Sequence, residues 1–195
     1  MKVIKNIILS ILAFAVCSAV QLQAEIKTLV LLKIDKGEMC TADEGDLAVS
    51  MSKEKAAEGK KYCIKVSISK TSLKPYIFII TNDSNLLKGK RGDWSDYDTL
   101  KIPYFSTNKA AVETDLHIGD EVAYARWSDK KQCIKKVTLL PGQNVLTVDI
   151  KKLERTNFKG QFFDMDKIRG CFFKSDNLTS DDWVLFIQDV YLEKK

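Results

Sequence analysis

Residues 93–105 read DWSDYDTLKIPYF: a polar turn, an aromatic anchor and a strand entering the middle of a sheet. Asp98, Leu100, Ile102 and Tyr104 share one parity, and Tyr97, Thr99, Lys101 and Phe105 the other, which is the two-residue period of a pleated strand. Outward from this stretch the chain repeats one syntax: short strand, polar turn, short strand.

Upstream, PYIFIIT (Pro75–Thr81) is apolar on both parities, which predicts a strand covered on both faces. YCIKVSIS (Tyr62–Ser69) alternates, with Tyr62, Ile64, Val66 and Ile68 predicted to face inward. A short strand is expected at Leu47–Ser52 and a first strand at Glu25–Ile34, with a loop between them over Asp35–Asp46. SKEKAAEGKK has helical composition but is brief, and Gly59 ends it, so a turn is expected there.

Downstream, Val112–Ile118 alternates again, and Gly119-Asp120 is read as a turn into a partner strand over Val122–Trp127. Gln132–Leu140 and Asn144–Ile150 flank Pro141-Gly142 and are read as a hairpin. Lys151–Thr156 is read as one helical turn, and Met165–Phe173 as a further strand. The last strand spans Trp183–Leu192. Its apolar positions change parity at Gln188-Asp189, as they do when a β-bulge inserts one extra residue. Roughly nine or ten short strands with almost no helix predict an all-β chain, an antiparallel β-sandwich.

The N-terminus, MKVIKNIILSILAFAVCSAVQLQA, has two lysines, an apolar run and a small residue at Ala24, the layout of a secretory signal peptide. Cleavage is expected after Ala24, with Ala19 as the rival; Val16 before Cys17 speaks against lipidation. Residues 25–195 then form one domain, exported to a periplasm or beyond the cell, with no membrane segment besides the signal. The signal holds two of the 31 basic residues and no acids, which leaves 29 against 26, a net charge of +3. That mild, scattered charge gives no footprint for nucleic acid. The four cysteines of this domain, Cys40, Cys63, Cys133 and Cys171, permit one or two disulfides in an exported protein, and buried free thiols are the other option.

Four stretches, EKAAEGKKYCIKVSI, DWSDYDTLKIPYF, VTLLPGQNVLTVDIKKL and LFIQDVYLE, together resemble the galactose-binding-like jelly-roll domains of exported bacterial proteins. Many carbohydrate-binding modules have that fold. The resemblance implies a jelly-roll sandwich and a glycan as partner. Some members carry a structural calcium between the first and last strands, held by a carboxylate of an acidic pair in the closing strand. Here the first acid of that pair is Gln188, and only Asp189 matches.

No motif selects a catalytic group: GxSxG, HExxH and a Gly-rich phosphate loop are all lacking, and His117 is the only histidine. The chain is therefore expected to bind rather than to catalyse, without a cofactor other than a structural calcium. Sugar recognition uses a flat aromatic ring with planar polar side chains around it. Glu113, Asp115 and His117 share one face of a predicted strand, and Arg126 and Trp127 come from the next. These five are the candidate ligand-binding residues. Trp94 and Trp183 are read as packing residues. Asp189, a carboxylate inside an apolar strand, needs backbone N–H partners or a calcium ion with help from Asp35 or Glu38. The alternative to a glycan module is a structural or protein-interaction sandwich docked on an extracellular partner.

Overall fold

The computed structural model describes residues 26–43, 47–71, 76–80, 89–124, 132–151, 153–175 and 181–194. The organising stretch becomes β6 (Thr99–Ser106), with Leu100, Ile102 and Tyr104 buried and Lys101, Pro103 and Phe105 on the other face. Along one edge β6 pairs with β9 (Gly142–Asp149) over eight residues, from Thr99 opposite Asp149 to Ser106 opposite Gly142. Along its other edge runs the last strand, in two halves, β13 (Trp183–Ile187) and β14 (Val190–Glu193).

The halves are separated by the expected bulge. Ile187 stands opposite Tyr104, but Tyr191 stands opposite Lys101 where an unbroken ladder would bring Leu100. One extra residue has entered, so Leu185 and Ile187 before it and Val190 and Leu192 after it all reach the core. The bulge also accounts for a proline in a central strand. Gln188 N–H donates to the Pro103 carbonyl (3.0 Å), so the proline nitrogen points at the place where the ladder is already interrupted. Beyond the bulge β13 continues into β4 (Cys63–Ile68) and β3 (Leu47–Ser52), while β14 continues into β1 (Thr28–Leu32).

The second sheet has the order β2 (Thr41–Asp43), β5 (Tyr76–Ile80), β12 (Ile168–Lys174), β7 (Val112–Asp120) and β8 (Cys133–Leu139), with every pairing antiparallel. Its inward residues Ile77, Ile79, Leu116, Ile118, Cys171 and Phe173 meet Leu31, Ile64, Val66, Leu100 and Ile102 of the first sheet. Each fully buried aliphatic side chain contributes about 1.5–3 kcal/mol. Trp94, wholly buried, donates its indole N–H to the Arg91 carbonyl (2.9 Å), and Trp183 is buried too. Both pack as read. The result is the jelly-roll β-sandwich.

Several local expectations give way. The Pro141-Gly142 turn does not close a hairpin: β8 belongs to the second sheet and β9 to the first, so the turn is an arch between layers. Its geometry is held by side chains. Leu140 N–H donates to the Tyr104 hydroxyl (2.7 Å), and the Asn144 amide donates to the carbonyls of Leu140 (3.4 Å) and Pro141 (3.0 Å). After β7 the chain does not reverse into a strand at Val122. Asp120 accepts the Ala123 N–H (3.0 Å), as a side-chain cap does, and Glu121–Tyr124 forms a helical turn. The partner strand of β7 on that side is β8. Residues 151–156 contain no helical turn among those described, but a two-residue strand, β10 (Glu154–Arg155), paired with β11 (Phe158–Phe162). The loop expected over 35–46 hides β2, which was too short to show a period. The predicted signal, residues 1–24, lies outside the described residues, among which no helix is long and apolar enough to cross a membrane.

Of the two options for the cysteines, the structure has the free thiols. Cys40, Cys63, Cys133 and Cys171 are all unbridged and buried. Burial pushes the Cys40 thiol up to about 12, and raises Cys63, Cys133 and Cys171 as well.

Candidate functional site

The outward face of the second sheet carries the side chains of alternate residues on β5, β12, β7 and β8. Strand register sets them in tiers. One tier runs Phe78, Phe172, His117, Ile134; the next runs Tyr76, Lys174, Asp115, Lys136; beyond it Glu113 stands opposite Thr138.

The first tier is apolar and closed. Phe172 is 1% exposed and stacks on His117 (centroids 4.6 Å apart, planes at 17°) and, tilted, on Phe78 (5.1 Å). His117 is buried as well, and its Nδ1 shares a 2.8 Å hydrogen bond with the amide oxygen of Gln132, which is fully buried. Tyr76 lies 5.9 Å from Phe172 and links this tier to the charged one, where the Lys174 ammonium sits 5.4 Å above its ring.

The second and third tiers are open. Glu113, Asp115, Lys136, Thr138 and Lys174 line a depression of about 310 Å³. Asp115 lies in register between two lysines, which makes a row of alternating charge across three strands. Thr114 points to the sandwich interior and fixes the register by donating its hydroxyl to the Lys174 carbonyl (2.9 Å). Carboxylate acceptors, ammonium donors and a hydroxyl thus face one space, a set suited to the alternating donors and acceptors of a polyol. Glu113 and Asp115 project from the same side of one strand. They do not oppose each other across a cleft, as the two carboxyl groups of a glycosidase do.

The end of this face beyond His117 is fixed by a buried ion pair. Asp120 is fully buried, and the Arg155 guanidinium binds both of its oxygens (3.1 and 2.5 Å) while lying 4.7 Å over the Phe163 ring. The pair pins the β10–β11 hairpin against the sheet. Thr156 N–H donates to the Gln132 carbonyl, and Ile134 N–H to the Thr156 hydroxyl, extending the contact along β8.

Of the residues singled out in the sequence, Glu113 and Asp115 share the depression, and His117 lies on the same face but inside the closed tier. Arg126 and Trp127 lie outside the described residues. Because residues 121–124 are a helical turn, the strand pairing that placed those two beside Glu113 and Asp115 does not form in that segment. Sequence reasoning missed Lys136, Thr138, Lys174 and the aromatic tier. The alternation of β8 was a usable signal for the first two. Phe172 was hidden by the register shift between Ile168 and Gly170, after which Cys171 and Phe173 take the core side with Ile168 and Phe172 turns outward.

Asp189 sits at the bulge. Its Oδ1 accepts the Ile34 N–H (3.0 Å), and its Oδ2 lies 2.7 Å from the Lys60 ammonium. A calcium ion needs six to eight oxygen ligands, whereas a lysine ammonium stands against this carboxylate, so the residues present do not fit the ion. Among the described residues no group of three or more His, Cys, Asp and Glu is placed to hold a metal.

No protein-family model and no curated protein matches the chain. Solved structures do. The chain is similar to the family 11 carbohydrate-binding module of a cellulosomal cellulase of Clostridium thermocellum, at TM-score 0.59 and 13% identity, over 87% of this chain and 95% of that one. It is also similar to the family 30 carbohydrate-binding module of another cellulosomal cellulase of that organism, at TM-score 0.57 and 12% identity, over 80% and 91%. A third match is to an agarase, at TM-score 0.55 and 13% identity, over 86% of this chain but only 24% of the enzyme. At these identities the likeness is one of fold: the chain has the β-sandwich architecture of carbohydrate-binding modules.

Proposed function

We propose that the chain is an exported, non-catalytic module that binds a carbohydrate on the outward face of its second sheet. The observation that carries this is the convergence of Glu113, Asp115, Lys136, Thr138 and Lys174 on one open depression beside Tyr76. The fold shared with carbohydrate-binding modules supports it. In this proposal the carboxylates and ammoniums take the hydroxyls of a glycan chain, and Tyr76 offers the ring edge of the site. His117 is a positioning residue, holding Phe172 and Gln132 beneath the surface. Arg126 and Trp127, outside the described residues, are proposed as further ligand contacts. No cofactor is required, and the setting is a periplasm or the cell exterior.

One observation favours the other reading, a protein-interaction sandwich. Val122, Phe158 and Phe162 are 49%, 38% and 56% exposed on the two segments joined by the Asp120–Arg155 pair. An apolar group of that kind is what a protein partner covers.

The test is affinity electrophoresis of the exported chain in a panel of soluble polysaccharides, with Asp115→Ala, Lys174→Ala and Trp127→Ala alongside. Retention by one glycan class that Asp115→Ala or Lys174→Ala weakens at least about tenfold, roughly 1.4 kcal/mol, is the expected result. Loss in Trp127→Ala adds the indole to the site. Binding untouched by all three refutes the placement. No retention by any glycan, from a folded sample, turns the assignment to a protein partner.

A further inference from the structure

β9 stands at an edge of the first sheet: β6 pairs with one side of it, and among the described residues no strand pairs with the other. Which backbone groups this leaves bare follows from β6. In a strand the N–H and C=O of one residue point the same way, and successive residues point opposite ways. The Pro103 carbonyl accepts the Gln188 N–H, so the odd-numbered residues of β6 face the bulge and the even-numbered ones face β9. Their partners Asn144, Leu146 and Val148 are bonded to β6, and Ile150, next in that series, donates to the Asp98 carbonyl (2.9 Å). Gln143, Val145, Thr147 and Asp149 therefore turn their backbone groups away from the sheet. At Asp149 the Lys135 ammonium meets the carbonyl (2.7 Å) and closes that end. From Gln143 to Thr147 the edge is open, and it carries no charge, no proline and no bulge, the usual devices that keep a sheet edge unpaired. β8, the neighbouring edge of the second sheet, has Lys135 and Lys136 instead.

We infer that this edge is a self-association site, at which a second copy of the chain adds its own β9, antiparallel, across a two-fold axis at Val145. The segment is self-complementary about that residue. Val145 meets its own copy, while Gln143 and Thr147 meet the partner's Thr147 and the partner's Gln143. These are the residues with bare N–H and C=O groups, and each such pair exchanges two hydrogen bonds. Asp149 falls opposite the partner's Pro141, beyond the ladder, so no like charges are brought face to face. Val145, 52% exposed in the monomer, gains a β-branched neighbour on the same sheet face. The contact uses one patch on both copies and closes at two. A two-fold axis relating such strands runs perpendicular to the sheet, so both second sheets lie on the same side of the joined first sheets. The two depressions lined by Asp115 and Lys174 then open to the same side, and one polymer chain can engage both with the avidity of linked sites. That last consequence rests on the carbohydrate reading; the pairing itself does not.

The experiment is sedimentation velocity of the exported chain without any glycan, from micromolar to submillimolar concentration, for the wild type, Val145→Lys and Val145→Pro. The wild type should shift from monomer to dimer across that range. Val145→Lys sets two ammoniums against each other at the axis, and Val145→Pro removes an N–H that β6 does not use. Each should weaken dimerisation at least about tenfold while circular dichroism stays that of the wild type. A wild type that is monomeric throughout overturns the inference and leaves the edge to an extended segment of another protein. A dimer that survives both substitutions overturns it as well. Val145→Cys, close in size to the native residue, gives a readout that does not depend on either of those variants folding. Paired Cα atoms in such a ladder lie about 5.5 Å apart, within disulfide reach, so oxidation should cross-link Val145→Cys and leave Gln143→Cys a monomer. The reverse pattern overturns the axis. A wild-type dimer that is retained by no glycan upholds the pairing and sinks the carbohydrate reading alone.

Discussion

The two outward faces of the sandwich have been treated differently. Over the first sheet, residues 53–62 fold back as a strap. Gln188 holds it from below, accepting the Ala57 N–H (3.1 Å) and donating to the Lys55 carbonyl (2.5 Å). The Cys63 thiol donates to the Glu54 carbonyl (2.8 Å), Lys60 pairs with Asp189, and the Lys55 ammonium lies 4.5 Å over the Phe105 ring. Phe186 beneath is 1% exposed although it points away from the sandwich core. What stays open on that face is a groove of about 210 Å³ with Pro103, Val145 and Tyr191 in its lining. The second sheet has no such strap among the described residues over Glu113, Asp115, Lys136 and Thr138. One face spends its polar groups on the chain itself. The other leaves carboxylates, ammoniums and a hydroxyl lining an open depression, where they contribute little to folding and a ligand can reach them.

That contrast can be broken most severely at the end of the open face. Arg155→Met leaves the Asp120 carboxylate buried without its partner and should cost about 3–5 kcal/mol in denaturant unfolding. A smaller loss would mean that solvent reaches Asp120. Next comes the strap. Gln188→Ala removes two hydrogen bonds to its backbone and should cost about 1–3 kcal/mol, with faster proteolysis within 53–60. Glycan retention on the opposite sheet should not change; if it does, the faces are coupled.

A third effect is set by pH. The Cys40 thiol ionises at 9.0 in the unfolded chain and is pushed up to about 12 when folded. The folded state thus holds a proton that the unfolded state releases, and stability falls as pH rises from 9 towards 12. Cys40→Ala should make that part of a stability–pH curve less steep, with the remainder of the slope left to the raised thiols of Cys63, Cys133 and Cys171, although it removes volume from the core. The smallest effect on stability belongs to the open face itself. Lys136→Ala and Lys174→Ala should each stay within about 0.5 kcal/mol of wild type in denaturant unfolding, while lowering glycan retention. A large stability loss there would make the open face structural after all.

Much of this architecture was legible beforehand for a definite reason. In β4, β6 and the last strand, one parity is nearly all aliphatic, and burial of alternate residues is what a period of two encodes. Even the bulge showed, because Leu185 and Ile187 could not face the core together with Val190 and Leu192 otherwise. Short segments did not show: β2 and β10 have three and two residues, too few to reveal a period. On the candidate site, Glu113, Asp115 and His117 were placed on one face correctly from parity. The depth of His117 was not visible, since it depends on Phe172 from β12 and Gln132 from the start of β8.

The sequence by itself determined the class of the molecule: an all-β sandwich built around residues 99–106, with Trp94 and Trp183 as packing groups and a parity change at Gln188-Asp189. Local alternation carries that information within a single strand. Only the tertiary structure decided which strands are neighbours, and with them the site. Pro141-Gly142 bends the chain equally well into a hairpin or into an arch between layers, and the choice lies with distant partners, β6 for β9 and β7 for β8. The same holds for Asp115 between Lys174 and Lys136, and for Asp189 against Lys60, residues 129 apart in sequence. Contacts of that range are set when two sheets close over a common core, and no period along the chain records them.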